Sequence, residues 1–192
     1  LTQGDKHNGL GHIKRMLVLA ESLLELGLSI GFETPPSTAG HSIISKWLLD
    51  HPSVRLNDYS THYTTCIIDL ENGPRRELLL EARAKFRHII VVGGVGFPIA
   101  DQSSIDQLVD LQIYQSIAIN GDTPPASRHL VGCEYLILNP EYLILRAIYG
   151  EVVMGKDILV LMGGADPHRL TDVFCEAAHL AVNGNGLGVR TV

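Results

Sequence analysis

Gly9-Leu10-Gly11-His12, with Arg15 three residues on, is the stretch of this chain best suited to chemistry. The glycines permit φ > 0 and close approach of a ligand to the backbone. The residues that follow begin an amphipathic helix, whose first turn offers unpaired N–H groups and the positive end of its dipole. Such a turn suits an anionic or polar group, and a histidine placed there can move a proton near neutral pH. The same residues also fit a plain turn whose histidine is held by a local hydrogen bond. Arg15 falls one helical turn after His12, where it can reach an anion at the same place or remain a solvated helix residue.

The elements that must position these residues follow from periodicity. Residues 12–26 place Ile13, Met16, Leu17, Ala20, Leu23 and Leu24 on one face, with Gly27 as the stop. Leu28, Ile30 and Phe32 alternate as a strand that Pro35-Pro36 ends. Ile43, Ile44, Trp47 and Leu48 predict a second helix, and Val54 to Leu56 a short strand. Cys66-Ile67-Ile68 predicts a buried strand with Asp69 at its C-terminal end. A third helix opens at Gly73-Pro74 and carries Leu78, Leu79, Ala82 and Phe86. His88 to Val92 is a further buried strand, and Ile113–Ile119 and Tyr135–Leu138 are strand candidates. Ile158 to Met162 then reads as a strand, Leu170 to Val182 as a helix with Asp166 or Thr171 at its cap, and Gly188 to Val192 as another strand. Repeated strand, loop and helix predict an α/β fold with a mostly parallel sheet covered on both faces.

Ligands of such sheets bind beyond the C-terminal strand ends. Four loops are expected there: Gly9 to His12, Asp69 to Gly73, Gly93 to Gly96, and Gly163 to Asp166. Asp69 there would orient His12 or a substrate hydroxyl, or else cap the helix after it. Gly93-Gly94 would let a phosphate or sugar approach, but the context is not that of a dinucleotide fingerprint. His7 and His12 lie close in sequence, yet no nearby carboxylate or cysteine completes a metal site. No metal or cofactor is expected. Ser103-Ser104 lacks the G-x-S-x-G context of a serine hydrolase.

The bulk properties narrow the classes further. The 192 residues, 45% of them hydrophobic, can build a proper core. A net charge of −6 argues against a general nucleic-acid binder. Cys66, Cys133 and Cys175 form no CxxC pattern and suit a reducing compartment. No apolar run is long enough for an integral membrane segment. The expected location is cytoplasmic. Two units are expected: an α/β domain over 1–156, and over 157–192 the start of a second α/β domain whose remainder lies outside this sequence.

Three stretches in order resemble one family. GLGHIKRMLVLAESLLELG (Gly9–Gly27) is similar to the G-x-G-H-x-x-R opening of the UDP-sugar hydrolases of pseudaminic acid biosynthesis and the related spore-coat polysaccharide biosynthesis proteins. CEYLILNPEYLILR (Cys133–Arg146) resembles their G-x-x-Y-x-x-L-R segment, matching at Tyr142, Leu145 and Arg146. ILVLMGGADPHRLT (Ile158–Thr171) resembles their strand and G-G-[ST]-D-P-x-x-L-T loop, through Gly163, Gly164 and Asp166. The resemblance implies a glycosyltransferase-B-like fold with its site between two Rossmann-like halves. It implies metal-independent release of UDP from a 2,4-diacetamido-2,4,6-trideoxy sugar by water, with His12 catalytic. Gly9, Gly11, Arg15, Asp69, Gly93, Gly94, Tyr142, Gly163, Gly164 and Asp166 are the expected substrate contacts, and a UDP-sugar the expected partner.

The chain departs from that pattern in places. Gly93-Gly94 stands where the family carries an aspartate pair, Asp69-Leu70-Glu71 lacks the tyrosine of its D-x-Y, and Ala165 replaces Ser or Thr. Two alternatives therefore stand beside a hydrolase. One is a glycosyltransferase resembling the peptidoglycan lipid-intermediate N-acetylglucosaminyltransferase. The other is a degenerate sugar-nucleotide-binding module without catalysis.

Overall fold

The computed structural model describes residues 1–2, 10–58, 61–70, 74–93, 107–115, 128–150, 157–160, 166, 169–182 and 188–191. Among them, helix α1 (Gly11–Glu25) buries Ile13, Met16 and Ala20, three apolar side chains on one helical face. It stops where Gly27 takes φ +76°. The Gly27 amide donates to Leu24 O (2.8 Å) and the Leu28 amide to Leu23 O (3.1 Å). These are the paired bonds of a Schellman stop, which needs a left-handed residue and so a glycine.

Strand β1 (Gly31–Phe32), helix α2 (Ala39–Trp47), strand β2 (Arg55–Leu56) and strand β3 (Thr65–Asp69) follow. Thr38 caps α2 by accepting from the His41 amide. Next come helix α3 (Arg76–Lys85), and strands β4 (His88–Val92), β5 (Leu111–Tyr114) and β6 (His129–Val131). Strands β3 to β6 form one parallel sheet in chain order, and β1 pairs β2 in parallel. Leu1–Thr2 bridges the two. The Leu1 nitrogen donates to Ile67 O (2.7 Å), the Asp69 amide to Leu1 O (3.0 Å) and the Thr2 amide to Glu33 O (3.2 Å). Thr2 and Asp69 form a parallel bridge. Numbered by chain position with Leu1–Thr2 first, the order across the sheet is 3-2-1-4-5-6-7. The progression reverses between Leu1–Thr2 and β3. This mixed α/β arrangement with parallel sheets is compatible with a Rossmann-like fold.

Alternation along β3 and β4 sorts the core. Cys66, Ile68, Ile89 and Val91 point toward α3 with Leu79 and Ala82. Ile13, Met16 and Ala20 of α1, Ile44 of α2 and Phe32 fill the other face with Val92. Full burial of each large aliphatic side chain stabilises the fold by roughly 1.5–3 kcal/mol. Both faces of this sheet are thus covered, as the pattern predicts.

Some boundaries differ from expectation. The predicted strand at Tyr135–Leu138 is instead a 3-10 turn at Cys133–Tyr135 followed by irregular chain, and the strand is β6. Its place is fixed by backbone bonds to β5, from the Gln112 amide to Arg128 O (3.0 Å) and the Gly132 amide to Tyr114 O (3.0 Å). Strand β5 covers the start of the Ile113–Ile119 candidate, and residues 116–119 lie outside the described residues. Helix α3 ends at Lys85, leaving Phe86 just beyond it and packed on the α3-side core. Helix α4 (Glu141–Tyr149) was not foreseen, and every residue of it is exposed. Strands β7 (Asp157–Val160) and β8 (Gly188–Thr191) pair in parallel, with helix α5 (Leu170–Val182) between them in the chain. No helix among the described residues is long and apolar enough to cross a membrane.

Candidate functional site

At the reversal of strand order the chain leaves Thr2 and re-enters the described residues at Leu10, one residue before α1 begins. Crossover connections part to either side at such a reversal and leave a crevice beyond the strand ends. Asp69, the last residue of β3, borders it, and its side chain points to the α1 face because Ile68 before it points to the α3 face. Residues three apart share a helical face, so His12 and Arg15 come down together on Asp69.

The resulting contacts are short. His12 Nδ1 lies 2.7 Å from Asp69 Oδ1. Arg15 Nε donates to Asp69 Oδ2 (2.9 Å) and Arg15 Nη2 to Asp69 Oδ1 (2.6 Å). Asp69 is fully buried, while the His12 and Arg15 side chains are 18% and 26% exposed. A carboxylate only accepts hydrogen bonds, so Nδ1 is the donor and carries the proton. The 3.0 Å approach of Arg15 Nη2 to Nδ1 is then a contact between two donors that share Oδ1. In neutral His12 the lone pair sits on Nε2, which has no hydrogen-bond partner among the described residues. This is the tautomer a general base needs.

Gly93 completes the wall. It follows β4, has φ +79°, and anchors to β5 through its amide to Ile113 O (2.8 Å). A Cβ at this position would stand 3.9 Å from Arg15 Nη2 and 4.0 Å from Asp69 Oδ1. Leu10 at the head of α1 supplies no side-chain cap, and among the described residues nothing lies within 4 Å of where a Cβ at Gly11 would stand.

The structure therefore gathers Gly11, His12, Arg15, Asp69 and Gly93. Gly9, Gly94, Gly163 and Gly164 lie outside the described residues. Asp69 turns to α1 rather than capping the following helix. Asp166 caps α5: its carboxylate accepts from the amides of Leu170 (2.8 Å) and Thr171 (2.9 Å) and from the Thr171 hydroxyl. Tyr142 lies on α4, 61% exposed, and shares no hydrogen bond with the cluster. Among the described residues no three His, Cys, Asp or Glu side chains gather as a metal site.

No family model, curated protein or solved structure matches this chain.

Two residues escaped the sequence reading. Thr2 and Thr34 are buried at neighbouring strand ends, and neither hydroxyl has a hydrogen-bond partner among the described residues. Thr2 pairs with Asp69 across the sheet, so its side chain shares the α1 face. Alternation could have placed both threonines on that face, but nothing in the sequence says which hydroxyls go unpartnered.

Proposed function

We propose that this chain carries the catalytic base of a nucleotide-sugar hydrolase on a glycosyltransferase-B-like scaffold. The substrate is a UDP-linked amino-deoxy sugar, and the products are UDP and the free sugar for nonulosonic acid or surface polysaccharide synthesis. The observation that carries this reading is the 2.7 Å hydrogen bond from His12 to fully buried Asp69 at the reversal of strand order. The motif resemblance at Gly9–Gly27 adds the substrate class. His12 Nε2 accepts a proton from water as the water oxygen bonds to the anomeric carbon. The bond from that carbon to the phosphate oxygen breaks, and UDP leaves with the electron pair. The N–H groups at the start of α1 would favour charge developing nearby. The reading places the reaction in the cytoplasm and needs no metal.

The test is UDP release from a panel of UDP-sugars with no acceptor present. His12→Ala is expected to lower kcat by about 10²–10⁴-fold with little change in KM. Equal release by the variant would sink the reading. Release only when an acceptor sugar is added would identify a glycosyltransferase, in which the same base serves an acceptor hydroxyl. The exposed apolar helix α4 is the observation that favours that second reading, since it offers an apolar acceptor a surface. UDP-sugar binding without turnover by either protein would identify a binding module.

A further inference from the structure

We propose that Arg15 is the positioning residue of this site, and that its guanidinium serves Asp69 rather than a substrate anion. The inference rests on the reading of His12 as the base. Its first support is the fork. Nε and Nη2 of Arg15 reach the two different oxygens of Asp69, at 2.9 and 2.6 Å. His12 adds one more donor, on Oδ1 only. A carboxylate held by His12 alone could swing about its Cβ–Cγ bond and still keep that contact. Held by the fork, it cannot turn without breaking an arginine bond.

The second support is charge. Asp69 is wholly buried, and a buried carboxylate needs a counter-charge. Arg15 supplies it, at both carboxylate oxygens. The third is shape. Gly93 has no side chain where one would lie against both Arg15 Nη2 and Asp69 Oδ1, and its φ of +79° disfavours any other residue. His12 and Arg15 also lie one turn apart on a single helix, so α1 carries the base and the clamp as one rigid unit.

Arg15→Lys separates the roles, because lysine keeps the charge and loses the planar fork. The ¹⁵N shifts of the His12 ring in the resting protein report the tautomer. The unmutated protein should show a protonated Nδ1 and an unprotonated Nε2, and Arg15→Lys should average the two. In UDP release the variant should lose up to about 10²-fold in kcat with KM changed by less than about twofold. Unchanged ring shifts in Arg15→Lys, or a raised KM at constant kcat, would overturn the proposal and return Arg15 to substrate binding.

A measurement on the unmutated protein guards against a variant that does not fold. The Arg15 Nε–H should exchange with solvent at least about tenfold more slowly than that of exposed Arg76, because it is held by a buried acceptor. Equal exchange rates would also overturn the clamp. Both NMR readings need no turnover. Absence of UDP release from every sugar would therefore defeat the hydrolase reading and leave the role of Arg15 decided on its own.

Discussion

Asp69 and Asp110 each pair with an arginine, at opposite ends of the same parallel strands. Asp69 closes the C-terminal end of β3, is fully buried, and holds both Arg15 and His12. Asp110 sits just before β5, is 37% exposed, and accepts from Arg83 Nη2 (2.9 Å) and the Ile89 amide (2.8 Å). Arg83 also donates to the carbonyls of Arg87 and Leu108. The Asp110 pair thus ties the starts of β4 and β5 to α3 in reach of water. The Asp69 carboxylate is sealed although its arginine is not, and it orients a histidine. Sealing makes an ion pair costly to break, while exposure screens it. The two ends of the sheet use the same residue types for different work, and the end beyond the strand carboxyl termini is where α/β sheets bind ligands.

The largest expected effect comes from cutting the sealed pair. Asp69→Ala removes a buried carboxylate that accepts three hydrogen bonds and leaves the partly exposed Arg15 charge without its partner, and should cost about 1.5–3 kcal/mol of stability. It should also lower UDP release, though by less than His12→Ala, because the ring stays in place but loses the acceptor that fixes its tautomer. Asp110→Ala should cost only about 1 kcal/mol and leave turnover unchanged. Urea unfolding of the two variants side by side measures the contrast. Equal losses would mean that burial does not separate the pairs.

A smaller effect distinguishes the exposed pair by pH. Burial alone raises the Asp110 carboxyl, but the Ile89 amide and the Arg83 guanidinium outweigh it, with His88 assisting, and hold it below the usual carboxylate range. A carboxyl lowered by folding contributes stability in full above its unfolded pKa of about 3.9. That contribution is lost as pH falls through the folded value. The Tm advantage of the unmutated protein over Asp110→Asn should be constant from about pH 5 to 7 and should close below about pH 4. An advantage that grew on acidification would contradict the assignment.

Much of this arrangement was legible before the fold was known, and the reason is local. His12, Asp69 and Gly93 each stand at an element boundary that periodicity and glycine mark in the sequence, and Arg15 lies one turn into α1. Strand ends and helix starts converge in a parallel sheet, so boundary residues could be grouped without distances. Helix α4 was not legible. EYLILRAIY has helical spacing, with Leu143, Ile144, Ala147 and Ile148 on one side, but none of it is buried, so apolar residues that should mark a core face mark none here. The misplaced strand at Tyr135–Leu138 has the same origin: apolar residues there signal burial, whereas β6 is fixed by long-range bonds to β5 that no local pattern encodes. The role of Arg15 was open for a further reason. Spacing puts it near His12, but only the distances to both oxygens of Asp69 show where its guanidinium is used.

Thr2 sharpens the contrast between the two ends at the finest scale, because it is the polar neighbour of Asp69 that has no partner among the described residues. Its hydroxyl is buried, one strand from a carboxylate that accepts three hydrogen bonds. A buried hydroxyl without a hydrogen bond loses its hydration and gains nothing in return. Valine has nearly the same shape and the same β-branching, so it keeps the strand and removes the cost. Thr2→Val should therefore stabilise the protein by up to about 1 kcal/mol, a rise of about 2–4 °C in Tm. A thermal melt measures it. A lowered Tm would show that the hydroxyl has a partner, and the polar floor beside Asp69 would then extend one strand further than the His12–Arg15–Asp69 cluster.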